Sequence, residues 1–293
     1  MFLAAAMLAA SREAMPTTIV SLVPPASTGG SQPRWRDIAD NAYAAAYRNS
    51  FDYADAVAQL SYEECGTTFK ARLVADGLKP YFAYQLKFIA SHDSPGMERL
   101  GYIGRWWWEG GPLNVPDASY EANKGNPGLS SFLVFDYAVT DSQGHLEKEV
   151  VLDSSYHVLW RYGISGVPGV RLPGPDDGFS VDTLVDVGSA LGAAYDFDYA
   201  PFLVSVFGEH EATAGNARPL PGELEMSPGE YQLEFVMTEE SFHGSGVVDG
   251  WWMPALVSPP GQMVSFTVVP EPTSSFLVLL GLALLRVRRD RAG

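Results

Sequence analysis

The side chains that could do chemistry fall into three groups. Histidines sit near carboxylates at Asp153/His157, at Glu209-His210-Glu211, and at Glu239-Glu240 ahead of His243. Neutral imidazole and carboxylate oxygens together make a ligand set for Zn²⁺ or another divalent ion. That reading gives His157, Glu209, His210, Glu211 and His243 as candidate metal ligands. None follows a fixed metal spacing such as HExxH, so folding would have to converge them. Tryptophans form the second group: Trp106-Trp107-Trp108 after Arg105, and Trp251-Trp252 after Gly250. Neighbours on a strand point to opposite faces, so each run should leave at least one indole near the surface or in a groove. There it could stack on a sugar ring, or it could plug the end of a core. The third group would serve hydrolysis. Glu239 and Glu240 are adjacent and face apart on a strand, so they cannot flank one glycosidic bond. Ser154-Ser155 near His157 lacks the nucleophile-elbow pattern, and no phosphate-cradling glycine pattern stands between a strand and a helix. No set supplies nucleophile, base and orienter together, so the reading leans away from an enzyme.

The elements that must position these groups read mainly as strands. Thr68 to Val74 alternates, with Phe69, Ala71 and Leu73 on one face and Lys70 and Arg72 on the other. Strands are also expected at Tyr81–Ile89, Ser131–Thr140, Leu146–Leu152, Tyr156–Tyr162, Phe202–Phe207, Tyr231–Thr238 and Met263–Val269. Turn text separates them at Asp76-Gly77, Lys79-Pro80 and Asp141 to Gly144. Residues 35–60 hold the best helical text, Ala-rich with Asp37 as a cap, and Ser180 to Tyr195 reads as a helix or an irregular insertion. The expected fold is all-β: a β-sandwich with a short N-terminal helical extension and a C-terminal hydrophobic helix. Its parts are a degenerate signal or linker over 1–34, the helical extension over 35–65, the sandwich over 66–268 and a tail over 269–293.

Composition bounds the function classes. Hydrophobic residues at 46 % against 18 % charged describe a chain able to bury a core. Net charge is −16, and the terminal arginines leave the rest more acidic still. Such a body is repelled by nucleic acid and by anionic head groups. Cys65 is the single cysteine, which excludes an intramolecular disulfide and any CxxC site. Met1 to Ala10 is apolar and Ala-rich like the core of a secretion signal, yet its basic flank is missing.

The C-terminus carries the most specific pattern. Val269-Pro270-Glu271-Pro272 leads into Thr273-Ser274-Ser275, then an apolar run from Phe276 to Leu285, then Arg286, Arg288, Arg289 and Arg291. Prolines stop the preceding strand, the apolar run partitions toward a bilayer, and the arginines favour the cytoplasmic side. The run is shorter than the roughly 20 residues of a full span. This order resembles the PEP-CTERM sorting signal, over about the last 25 residues. The resemblance implies export by a Gram-negative bacterium and transient tethering in the inner membrane. It also implies recognition by an exosortase-type membrane protease, and a final place at the cell surface or in an exopolysaccharide matrix. Pro270, Glu271, Pro272 and the arginines 286, 288, 289 and 291 are the positions that carry it.

The body holds a second resemblance. Gly77-Leu78-Lys79-Pro80-Tyr81-Phe82-Ala83-Tyr84-Gln85-Leu86-Lys87, Gly101-Tyr102-Ile103-Gly104-Arg105-Trp106-Trp107, Asp153 to Trp160 and Thr238-Glu239-Glu240-Ser241-Phe242-His243 resemble an uncharacterised β-rich domain of secreted bacterial and archaeal proteins. That implies fold and location, and no activity. The leading expectation is therefore an exported, non-catalytic surface or matrix protein with no cofactor. The alternatives are a carbohydrate-binding module using the tryptophans and a metal-dependent extracellular enzyme.

Overall fold

The computed structural model describes residues 17–28, 33–38, 41–109, 111, 115–161, 179–187, 194–196, 202–210, 224–240 and 253–271. In chain order the elements are β1 (Thr17–Leu22), α1 (Ala45–Ser50), β2 (Val57–Glu63), β3 (Cys65–Gly66), β4 (Lys70–Asp76), β5 (Ala83–Ala90), α2 (Met97–Ile103), β6 (Arg105–Trp108), α3 (Asp117–Ala122), β7 (Leu129–Val139), β8 (Leu146–Val151), β9 (Tyr156–Arg161), β10 (Phe179–Val187), β11 (Phe202–His210), β12 (Gly229–Glu240), β13 (Pro254–Val257) and β14 (Val264–Val268). The protein is β-rich. Its described strands form a four-stranded sheet β1-β2-β4-β8, a three-stranded sheet β10-β11-β9, and a seven-stranded sheet β3-β14-β12-β5-β7-β6 with β13 beside β12. Every pairing is antiparallel except that of β3 with β14.

Side-chain period explains why these stretches are strands. In β4, Ala71, Leu73 and Ala75 are buried while Lys70 and Arg72 are exposed. In β2, Ala58, Leu60 and Tyr62 are buried in the same alternation. This four-stranded sheet thus offers one face to water and one to the core. β5 and the second half of β12 are buried on both faces, which suits central strands. Aromatic packing joins the sheets: Phe69, just before β4, lies 4.9 Å from both Phe88 of β5 and Phe266 of β14. Phe88 also stacks on Phe135 of β7 at 4.9 Å.

Three expectations about the chain's elements change. The helix expected over 35–60 contracts to Ala45–Ser50. Asp37 does not cap it; its carboxylate accepts from Asn41 N at 2.9 Å, Asn41 Nδ2 at 3.1 Å and Tyr195 OH at 2.8 Å. Trp35, Tyr43, Tyr47, Phe51 and Tyr53 are drawn into contact with the core, and that burial outweighs the helical preference of the alanines. Val57–Glu63 is a strand because it alternates, and Thr17–Leu22 is a strand along β2 where a linker was expected. Ser180 onward is the strand β10 rather than a helix, in keeping with its β-branched residues. The apolar stretch 276–285 lies outside the described residues, and among those described no helix is long and apolar enough to cross a membrane.

The turn between β4 and β5 is held by a second turn packed against it. Gly77 at φ 75° starts it, and Tyr81 adopts φ 50°, rare for a residue with a side chain. The second turn clamps it: Leu78 N donates to Gly144 O at 3.1 Å and Tyr81 N to Asp141 O at 3.0 Å. Gly144 stands at φ 74°, and a Cβ there would lie 2.0 Å from Leu78 O. Gly144→Ala should therefore destabilise the protein by about 2 kcal/mol or more, measured as a lower urea midpoint at unchanged m-value.

Candidate functional site

Two places combine polar and aromatic side chains: an open groove beside α2, and a closed box around Lys79.

The groove grows from the tryptophan triplet. β6 pairs with β7, and its alternation turns Trp106 inward until it is fully buried. Trp106 stacks on Tyr120 of α3 with centroids 3.6 Å apart and planes 4° from parallel, while its Nε1 donates to Asp117 Oδ1 at 2.7 Å. Gly101 of α2 faces the same indole; a Cβ there would lie 2.2 Å from Cζ3, so the helix can approach only because that residue is glycine. Trp106 is thus a pillar between α2 and α3 and not a stacking platform. Trp107 and Trp108 are half-buried, and Trp108 packs against the core.

What this arrangement leaves open is a groove of about 450 Å³ lined by His92, Asp93, Arg99, Tyr102 and Tyr120. That is within the size range of small-ligand sites, roughly 300–1,000 Å³. Tyr102 is the exposed aromatic, set edge-on to Trp106 at 5.3 Å and to Tyr120 at 6.0 Å. Its hydroxyl donates to Glu121, which holds the phenol above its ordinary pKa, and burial pushes the Tyr120 phenol up. Both remain neutral hydroxyls at physiological pH. Arg99 lies 4.7 Å from the Tyr231 ring centroid and donates from Nη2 to Glu230 O. Among the described residues, Arg99 Nε and His92 Nδ1 are shielded from water without a hydrogen-bond partner.

The second place is closed. Lys79 and Glu239 form an ion pair with both side chains at 0 % exposure. Lys79 Nζ also donates to Arg34 O at 2.7 Å. Glu239 Oε1 accepts from Tyr53 OH at 2.7 Å and Oε2 from Arg34 N at 2.5 Å. Tyr53 OH meets Tyr84 OH at 3.0 Å, and Lys79 N donates to that same Tyr84 oxygen at 3.1 Å. The ammonium sits 4.2 Å from the Trp35 centroid, 4.9 Å from Phe82, and 5.6 Å from Phe51 and Tyr53. Burial pushes the Lys79 pKa down, against the opposing pull of Glu239. Burial and the Glu239 charge raise Tyr53 well above its usual value.

The remaining metal-ligand and tryptophan candidates are either brought together by backbone register alone or lie outside the described residues. Backbone register sets His157 opposite Glu209 and Tyr156 opposite His210 on β9 and β11, whose side chains lie outside the description. Glu211, His243, Trp251 and Trp252 lie outside the described residues, as do Pro272, Arg286, Arg288, Arg289 and Arg291. Among the described residues no group of three or more His, Cys, Asp or Glu could hold a metal. Pro270 and Glu271 are exposed directly after β14. Glu239 and Glu240 pair in register with Tyr84 and Ala83, on opposite faces of β12 as the alternation requires.

Sequence reasoning passed over both sites. A lysine in the Gly-Leu-Lys-Pro turn reads as exposed, and a glutamate ending a strand reads as solvated. The available signals were the aromatic text Tyr81-Phe82-Ala83-Tyr84 after Lys79 and the adjacent Glu239-Glu240 at the end of the strand text Tyr231 to Thr238. Comparisons with protein-family models, curated proteins and solved structures find no match for this chain.

Removing one partner of a buried pair strands the other charge, which typically costs about 3–5 kcal/mol. Glu239→Leu and Lys79→Met should each lose stability on that scale in denaturant melts. The double variant should be more stable than either single, because no unpaired charge is left inside.

Proposed function

We propose that this protein is an exported, non-catalytic surface or matrix protein built on a β-sandwich, with a C-terminal sorting signal cut by an exosortase-type membrane protease. The junction at 268–271 carries this reading. β14 ends at Val268; Val269 is still tied through its N–H to Gly66 O at 2.8 Å, and Val269, Pro270 and Glu271 are exposed. A processing enzyme acting there would meet an extended peptide and would not have to open the fold. The acidic body, −16 over the whole chain even with its terminal arginines, fits a protein kept apart by like charge outside a cell. The contacts of Phe69 with Phe88 and Phe266 support face-to-face packing of the two larger sheets, the sandwich of this proposal. Intact mass and C-terminal peptide mapping on protein from the native host test the reading. A chain ending near Pro272 is the expected result; a population ending wholly at Gly293 removes the processing step.

The groove favours a second reading within the first, a saccharide-binding role. An exposed tyrosine ring offers a face for the C–H side of a sugar. Asp93, Arg99 and His92 surround it with acceptors and donors for hydroxyl groups. Trp106, fully buried, takes no part in it, and Tyr102 and Tyr120 line the groove instead. Truncating a central aromatic contact costs on the order of 1–2 kcal/mol, close to tenfold in affinity. Tyr102→Ala should therefore lower retention on the host's exopolysaccharide about tenfold, while unchanged retention would sink the saccharide role and leave the sorting role standing.

A further inference from the structure

We propose that Lys79 and Glu239 are a self-crosslinking pair, joined in the mature protein by an amide bond between Lys79 Nζ and Glu239 Cδ. The site has the parts that such a condensation needs. The amine and the carboxyl are already hydrogen-bonded to each other, which supplies the proximity and orientation that free groups in solution lack. Lys79 cannot drift, because its N–H is tied to Tyr84 OH at 3.1 Å and its carbonyl accepts from Thr140 Oγ1 at 2.6 Å. Trp35, Phe51, Tyr53 and Phe82 surround the amine. Such a desolvated setting favours the neutral, nucleophilic lysine. The exclusion of bulk water from the box favours condensation over hydrolysis.

Each remaining atom has a role. The Lys79 ammonium passes one proton to Glu239 Oε1, its hydrogen-bond partner. The neutral nitrogen then forms a bond to Cδ, and negative charge collects on Oε2. Arg34 N–H, 2.5 Å from Oε2, is placed to stabilise that charge. Tyr53 OH, 2.7 Å from Oε1, hands its proton to that departing oxygen and regains one from the attacking nitrogen. The Cδ–Oε1 bond breaks and one water leaves. The nitrogen keeps one hydrogen, no charge remains, and no oxidant, reductant or cofactor enters. Arg34 O, now 2.7 Å from Nζ, is positioned to accept the hydrogen of the resulting amide.

The bond would close a loop between the β4–β5 turn and the end of β12, two points 160 residues apart. Closing so long a loop restricts the unfolded chain, as a disulfide would. This chain has one cysteine and cannot make an intramolecular disulfide of its own.

The test is mass spectrometry of the purified full-length chain, denatured in acid and digested with trypsin. The expected result is a branched peptide containing Lys79 and Glu239, lighter than the two linear peptides together by one water. Trypsin leaves the Lys79–Pro80 bond uncut with or without the crosslink, so the branched mass and the lost water carry the test. In Glu239→Ala the branched peptide and the missing water both disappear. Tyr53→Phe, which keeps the ring and removes only the relay hydroxyl, should leave a large uncrosslinked fraction. Two unmodified linear peptides from the wild-type chain would overturn the proposal regardless of how any variant folds.

Discussion

Two opposite charges held away from water set the terms for one end of this fold. Removing an ammonium and a carboxylate from solvent costs several kcal/mol each. That cost is met only if each remaining proton and lone pair finds a partner. Lys79 and Glu239 are paired with each other, with the backbone of Arg34 and with the Tyr53 hydroxyl, which Tyr84 OH supports in turn, while the Trp35 ring faces the ammonium. The N-terminal segment must therefore fold back over the sheets. The β4–β5 turn must hold one shape, and the 140–144 turn must clamp it. Tyr81 at φ 50° is the local strain this arrangement tolerates, with its N–H and carbonyl both used, on Asp141 and Ile38.

The groove and the box differ in access to water, and their chemistry differs accordingly. The box excludes solvent, so its groups act only on each other. At the groove, Tyr102 is exposed, and His92, Asp93 and Arg99 line the opening. Trp106 connects the local structure to this outcome. By standing as a buried pillar between α2 and α3 it fixes Tyr120 and Tyr102 around the opening, so its influence on any ligand is positional.

Under the proposed function these features belong to a protein working outside a cell. A surface of strong negative charge resists self-association. Without disulfides, rigidity has to come from aromatic packing and from internal polar links such as the Lys79–Glu239 contact. On the same proposal, the exposed residues after β14 are where another protein would act while the sheets stay closed.

Residues such as Phe69, Ala71 and Leu73 show what the sequence by itself determined. Their alternation with Lys70 and Arg72 fixes a half-buried strand, because a period of two sends every second side chain to one face. Asp141 to Gly144 marks its turn for an equally local reason, and the Pro270-Glu271-Pro272 text ends a strand whatever surrounds it. Local rules failed at 35–60, where Ala-rich text suggested a long helix. Its aromatic residues instead cover a charge pair whose partners come from residues 79 and 239. Which glutamate is buried, which tryptophan is a pillar and where a groove stays open depend on strands brought together across 160 residues. Only the tertiary structure decided these points, since desolvation and pairing of charge depend on neighbours in space and leave no periodic trace along the chain.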